Sequence, residues 1–294
     1  MVSFLLWSSC LCYGVHSYVT RISSQASCHQ QMEFEEGTGA SQRKRNRTIA
    51  TTSTPLSQRW YRNKQQHVTK AQKKAIRDHW PTLGIELKYG ELLDPVEVFK
   101  SNGMEEREGE LYCVLDIGFG TGESIVQNAL QHPSNMYLGC EIHRSGIGTT
   151  IQKIVAQKNH EIDNVRLIKA DVHMLLAKHL LDNSLNEVCI YFPDPWPNRR
   201  RDGKRRVVRG EILDLLTRTM KDKGTLKIVT DVRDYADYCR DIVGNGDKRW
   251  CLLSEYKHEP CSRIADDDRP ITKYERRGLE QGHQLYRFDY VLHK

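Results

Sequence analysis

Residues 111–122 read LYCVLDIGFGTG, and no other stretch restricts the possible folds of this chain as tightly. An apolar run of strand character, Val114, Leu115 and Ile117, encloses one acid, Asp116, and then breaks into Gly118, Gly120 and Gly122. Helical spacing follows over Glu123 to Gln131. Strand, glycine turn and helix N-terminus form the opening unit of a Rossmann-like sheet. Without a Cβ the backbone can approach a ligand closely. A tight βα turn with no ligand has the same composition, but the next strand, Met136 to Glu141, also ends in an acid. Glu141 falls where a ribose would present two hydroxyls.

These signals alone leave two cofactors open. Dinucleotide folds also place an acid about 20 residues beyond the glycines. Two details favour S-adenosylmethionine. The loop reads GFGTG, without the third-glycine spacing of GxGxxG. Asp116 also lies inside the strand end, where it suits a cationic amino group and would repel a pyrophosphate.

The third strand, Val165 to Lys169, runs into Ala170 and Asp171. As a lone residue Asp171 would be a helix N-cap. With Asp116 and Glu141 it completes three consecutive strand ends carrying acids, at the edge where open α/β sheets bind ligands. There it could accept from an adenine amine. The alternation continues with helices at Ile147 to Lys158, Val172 to Leu181 and Glu211 to Met220. Strands are expected at Asn186 to Phe192, Thr225 to Thr230, Trp250 to Tyr256 and Gln284 to Leu292. The pattern predicts an α/β fold, a doubly wound and mostly parallel sheet. Residues 94–109 read as a Glu-rich surface connection.

The 294 residues suffice for one large domain plus an extension, and the net charge of +6 permits a polyanionic partner without requiring one. Nine cysteines show no metal-like spacing, so no metal site is expected; Cys113, Cys140 and Cys189 fall in strands as small core residues. Residues 1–57 differ from the rest: no acid precedes Glu33, and serine is frequent. They read as a disordered, low-complexity extension and a candidate targeting segment. Its apolar start is too short and too interrupted for a membrane span. Residues 58–294 read as a single domain. It opens with Arg59, Arg62, Lys64, Lys70, Lys73, Lys74 and Arg77 interleaved with Trp60, Tyr61 and Trp80. Lys70 to Trp80 is expected to be a basic helix ended by Pro81. Such a segment suits either nucleic acid or solvent.

The most specific stretch follows the fourth strand: FPDPWPNRRRDGKRRVVRG, residues 192–210. Its prolines stiffen the loop and hold Asp194 and Trp196 in fixed directions. A rigid acid beside an aromatic ring suits a flat polar base. Arg199, Arg200, Arg201, Lys204, Arg205, Arg206 and Arg209 follow against one acid, Asp202, a density suited to phosphates.

At this point the chain resembles the bacterial-type tRNA (guanine-N7-)-methyltransferases. The likeness spans roughly residues 58–292 and rests on WPTLGIEL, DIGFGTGES, YLGCEIHRSGIG, FPDPWP, KRR, TDVRDYADY and RPITKYERRGLEQGH. It implies a class I methyltransferase domain of about seven strands. That domain would use S-adenosylmethionine to methylate the variable-loop guanine of tRNA, position 46. The donor contacts implied are Asp116, Gly118, Gly120, Glu141, Asp171 and Asp194. The implied substrate contacts are Asn198, Asp231, Thr272, Lys273, Tyr274 and Glu275. Arg200, Arg201, Lys204, Arg205 and Arg206 would face RNA. The family often carries Lys two residues after the PDPW tryptophan, where this chain has Asn198, and its basic segment is one residue longer here.

Guanine N7 has a free lone pair and no proton, so catalysis can rest on alignment and on stabilising the cationic product. Asp194 is the residue expected to do this. A methyltransferase for another RNA or a small molecule, or a non-catalytic RNA-binding relative, are the alternatives. Resemblance to the single-subunit type implies tRNA as partner, no obligate protein partner, and a monomer or homodimer. With the N-terminal extension it suggests a plastid or mitochondrion, with cytoplasm or nucleus as the alternative.

Overall fold

A computed structural model describes residues 67–101, 111–157, 162–196, 203–257 and 270–294. The expectations for residues 1–66, Asn198, Arg200 and Arg201 lie outside these.

Helix α1 (Lys70–Leu83) comes first, closed at its start by a capping box between Thr69 and Gln72. Contrary to expectation it runs on through Pro81 into its last turn. There the missing N–H forfeits one intrahelical bond, and only Thr82 and Leu83 follow before the helix ends. A two-residue strand, β1 (Gly84–Ile85), follows. The expected surface connection contains helix α2 (Pro95–Lys100) instead, capped by Asp94 with Pro95 at its start. It buries Phe99 completely, which six residues of pattern could not announce.

From β2 (Cys113–Ile117) the βα alternation holds. Helix α3 (Glu123–Gln131), β3 (Met136–Glu141) and β4 (Val165–Lys169) fall where the sequence placed them. Helix α4 (Arg144–Val155) starts three residues before its expected position. Its glycines serve packing. A Cβ on Gly146 would stand 2.3 Å from the Gly120 carbonyl oxygen, and one on Gly148 2.7 Å from Gln72 of α1. Helix α5 (Val172–Lys178), β5 (Leu185–Tyr191) and α6 (Gly210–Thr219) shift by no more than a few residues at their ends. Strand β6 (Met220–Thr230) begins five residues early, with a register break against β5. Helix α7 (Arg233–Cys239), continued by a π-type turn (Arg240–Asn245), and helix α8 (Lys273–Glu280) were not expected. Strands β7 (Trp250–Lys257) and β8 (Tyr286–Leu292) complete the sheet.

The strand order is β1-β4-β3-β2-β5-β6-β8-β7. Pairings from β1 to β6 are parallel, whereas β8 runs antiparallel between β6 and β7. All five residues of β2 are buried, because both faces of this central strand carry helices. On one face Val114 packs with α1, α3 and α4; on the other, Leu115 packs with α2, α5, α6 and α7. The chain leaves β2 in one direction for β3 and returns on its other side as β5. Their C-terminal ends therefore part into the crevice where such sheets bind ligands. Among the described residues no helix is long and apolar enough to cross a membrane. None of their His, Cys, Asp and Glu side chains form a group able to hold a metal.

Candidate active site

The crevice holds a cavity of about 330 Å³. The glycine loop forms its floor. Gly118, Gly120 and Gly122 all have positive φ, from 57° to 77°. At Gly118 the space around the Cβ position is open, so it is the φ of 73° that disfavours a side chain there. Gly122 is restricted by space as well, since a Cβ would meet Thr150 at 2.3 Å. A pair of hydrogen-bonded side chains braces the loop's outer edge. Lys153 Nζ reaches Glu123 Oε1 at 2.5 Å and the Thr121 carbonyl at 2.8 Å. Burial alone would raise the Glu123 carboxyl, but the bonds from Lys153 and Thr121 hold it below its usual range.

Asp116 and Glu141 meet at the back. Asp116 is buried, and loss of solvation, aided by the nearby Glu141 charge, pushes its carboxyl up to about 7. Glu141 is oriented by backbone donors. Its Oε1 accepts from Ile142 N at 2.7 Å and His143 N at 2.8 Å, and its Oε2 from Gly120 N at 3.0 Å. Asp171 caps α5 by accepting from His173 N at 2.8 Å and also lines the cavity. The cap and the wall position are compatible.

At the mouth, the chain leaves β5 through Phe192, whose φ of 50° is unusual for a bulky residue and more so before proline. Its N–H still bonds the Val229 carbonyl at 2.8 Å, so the sheet holds the strained turn. The turn presents Asp194 at the surface and Trp196 half-buried, both on the cavity wall. The Arg205 guanidinium lies 3.4 Å from the centroid of the Trp196 ring. One face of that ring is thus occupied by a cation rather than free for a base.

Helix α8 forms the opposite lip. Thr272 and Tyr274 line the cavity, and Thr272 with Glu275 closes a capping box. Glu275 is fully buried, and Lys273 borders a neighbouring groove with His67, Gln72 and Lys153. Asp231 lies outside the cavity wall. It does not cap α7, whose N-cap residue is Val232, with the Thr230 hydroxyl accepting from Val232 N at 3.2 Å. Instead its Oδ2 pairs with His283 Nδ1 at 2.8 Å, tying the end of β6 to the segment after α8.

The structure thus brings together Asp116, Gly118, Gly120, Glu141, Asp171, Asp194, Arg205, Thr272 and Tyr274. It sets Asp231, Lys273, Glu275 and Lys204 apart from the cavity wall. Arg206 departs most from expectation: grouped with the RNA-facing cations by its neighbours in sequence, it is buried. Phe192 and His283 entered no sequence-based list of site residues. Only the proline after Phe192 hinted at a special backbone, and nothing local marked His283.

The arrangement suits a ligand with a cationic amine, vicinal hydroxyls and a flat base. Five carboxylates, those of Asp116, Glu123, Glu141, Asp171 and Asp194, line the space; Lys153 pairs with Glu123, and three backbone donors already orient Glu141.

Residues 111–288 match the family described as "Putative methyltransferase". A protein of Halorhodospira halophila named tRNA (guanine-N(7)-)-methyltransferase is 34% identical over 82% of this chain and 97% of its own length. The protein of that name from Alkalilimnicola ehrlichii is 33% identical, over 82% and 94%. Among solved structures, the 16S rRNA methyltransferase KamB covers 71% of this chain with all of its own. It superposes with a TM-score of 0.50 at 17% identity, a likeness of fold.

Proposed function

Because the chain belongs to the tRNA (guanine-N7-)-methyltransferase family, we propose that its target is the guanine of the tRNA variable loop, position 46, and that Asp194 aligns it. The reaction is S-adenosylmethionine-dependent methylation of guanine N7 in tRNA. When bound, the donor supplies an electrophilic methyl on sulfur; N7 takes it with its lone pair, and the electrons of the broken bond remain on sulfur. No proton leaves N7, so this site needs no general base before attack.

The work left to the protein is positioning and charge. Asp116 holds the amino group of the donor, and Glu141 accepts from the ribose hydroxyls. Asp171 accepts from the adenine amine. Asp194, on the stiff Pro193–Pro195 turn, accepts from the guanine N–H groups. Its negative charge favours the positive charge that develops on the base. Thr272 and Tyr274 border the base from α8, and Lys204 and Arg205 at the rim hold tRNA phosphates. The observation that carries this assignment is the convergence of these four acids and the α8 lip on one cavity.

The deciding experiment incubates the full chain with unmodified tRNA transcripts and labelled S-adenosylmethionine, then cleaves at N7-methylguanosine by reduction and aniline. A single cut in the variable loop, lost in Asp194→Asn at unchanged fold, is expected. Cleavage elsewhere, or full activity of the variant, overturns the assignment. We also propose that the protein acts without an obligate partner subunit, as a monomer or homodimer, which a single purified chain tests in the same assay. The composition of residues 1–57 supports an organellar address, tested by the location of a fluorescent protein carrying them.

A further inference from the structure

Lys204, Arg205 and Arg206 are consecutive cations in three different surroundings. Lys204 is exposed, Arg205 stacks on Trp196, and Arg206 is only 3% exposed. Arg206 Nε donates to the Trp196 carbonyl at 2.6 Å. Its guanidinium lies 4.1 Å from the Tyr238 ring centroid and 5.2 Å from that of Tyr235, both on α7. The Tyr238 hydroxyl donates to the Val208 carbonyl at 3.0 Å, and Arg209 Nη1 to the Arg206 carbonyl at 2.7 Å. Among the described residues no carboxylate pairs with Arg206, and its Nη1 is buried without a hydrogen-bond partner.

A buried cation is costly unless something compensates it. Here the compensation is two ring faces and one carbonyl, an environment that suits a planar guanidinium and not an ammonium. A phosphate contact requires an accessible donor; here Nε is taken by the Trp196 carbonyl and Nη1 is buried. We propose that Arg206 is a positioning residue for Asp194 rather than a contact to tRNA. Its bond to Trp196 spans ten residues and closes the base of the arginine-rich loop two residues after Asp194. The ring contacts fasten that base to α7, which follows β6. Asp194 and Trp196 are thereby held at a set distance from the sheet while the loop cations take up RNA. This rests on the assignment of Asp194 to the guanine.

The test compares Arg206→Lys, Arg206→Gln, Tyr238→Leu and Lys204→Gln in the full chain. The readouts are the single-turnover rate at saturating tRNA and the salt dependence of tRNA affinity, with donor binding checked in each. Arg206→Lys and Arg206→Gln are expected to slow methyl transfer by about tenfold to a hundredfold, as small misplacements do, with the wild-type salt slope. Tyr238→Leu should behave alike. Lys204→Gln should instead lower the slope by about 0.7–0.9, one phosphate contact. The proposal is overturned if Arg206→Lys transfers methyl at the wild-type rate while Arg206→Gln lowers the slope as Lys204→Gln does. It is also overturned if the Arg206 variants do not fold and Tyr238→Leu is fully active. A wild-type protein without N7 methylation of tRNA would instead defeat the functional assignment itself.

Discussion

Asp116 shows how one residue exchanges stability for binding. An unfolded aspartate titrates near ~3.9, whereas burial pushes this one up to about 7 in the ligand-free fold. Between those values the folded state binds more protons than the unfolded one, so stability falls as pH rises from 4 toward 7 and is level above. The difference is on the order of 4 kcal/mol. Asp116→Asn should therefore raise the melting temperature of the ligand-free protein at pH 8, with little change at pH 4, while donor binding is lost. Melting curves at the two pH values, with calorimetric titration of the donor, check both. A ligand ammonium favours the ionised carboxylate, so wild-type donor affinity should fall as pH drops below about 7. Binding should also release a proton in that range, seen as a dependence of the apparent enthalpy on the buffer. The positions of Asp116, Glu141 and Asp171 were legible because each stands at or within two residues of the C-terminal end of a strand, and strand ends share one edge. Arg206 was not, because adjacency to Lys204 and Arg205 says nothing about which side chain turns inward. The same holds for His283, whose partner Asp231 is 52 residues away.

Among the elements, α8 is the one whose terminus matters most. The Thr272 hydroxyl accepts from Glu275 N at 3.1 Å, and Glu275 reaches back toward Thr272 N. This reciprocal cap orients the first turn, from which Tyr274 projects beside the glycine loop. Thr272→Ala should cost about 1 kcal/mol of stability. Methyl transfer should suffer more than donor affinity, because the acids at the strand ends are untouched. Denaturant unfolding and a kcat-against-KM split for tRNA distinguish the two effects. Helix α8 was visible in the sequence as a motif, TKYERRG, but not as a helix, since five of its eight residues are charged and only Tyr274 and Leu279 carry apolar side chains. Helix α2 was too short for any periodicity. The early start of α4 was hidden by Gly146 and Gly148, which lower helix propensity yet let Gly120 and Gln72 come close.

At the scale of the molecule, the last strand closes the sheet. Strand β8 lies between β6 and β7, and its Phe288, Tyr290 and Leu292 are completely buried. Each such side chain is worth about 1.5–3 kcal/mol, so together with two ladders they rival the ~5–15 kcal/mol that holds a domain folded. A chain truncated after His283 should show no cooperative thermal transition, measured by calorimetry or near-ultraviolet circular dichroism. What the sequence determined by itself was the alternation of strands and helices, the glycine turn, and the acids at successive strand ends. These are local signals, written in side-chain periods of 2 and 3.6 residues and in the backbone freedom of glycine. Only the tertiary structure decided the rest. It placed β8 between β6 and β7 and joined Asp231 to His283. It also divided a run of three cations into one at the surface, one stacked on Trp196 and one buried under the loop. Each of these depends on residues far apart in sequence, and burial, which sets whether a charge can meet a phosphate or must find a ring, is a property of the packed whole.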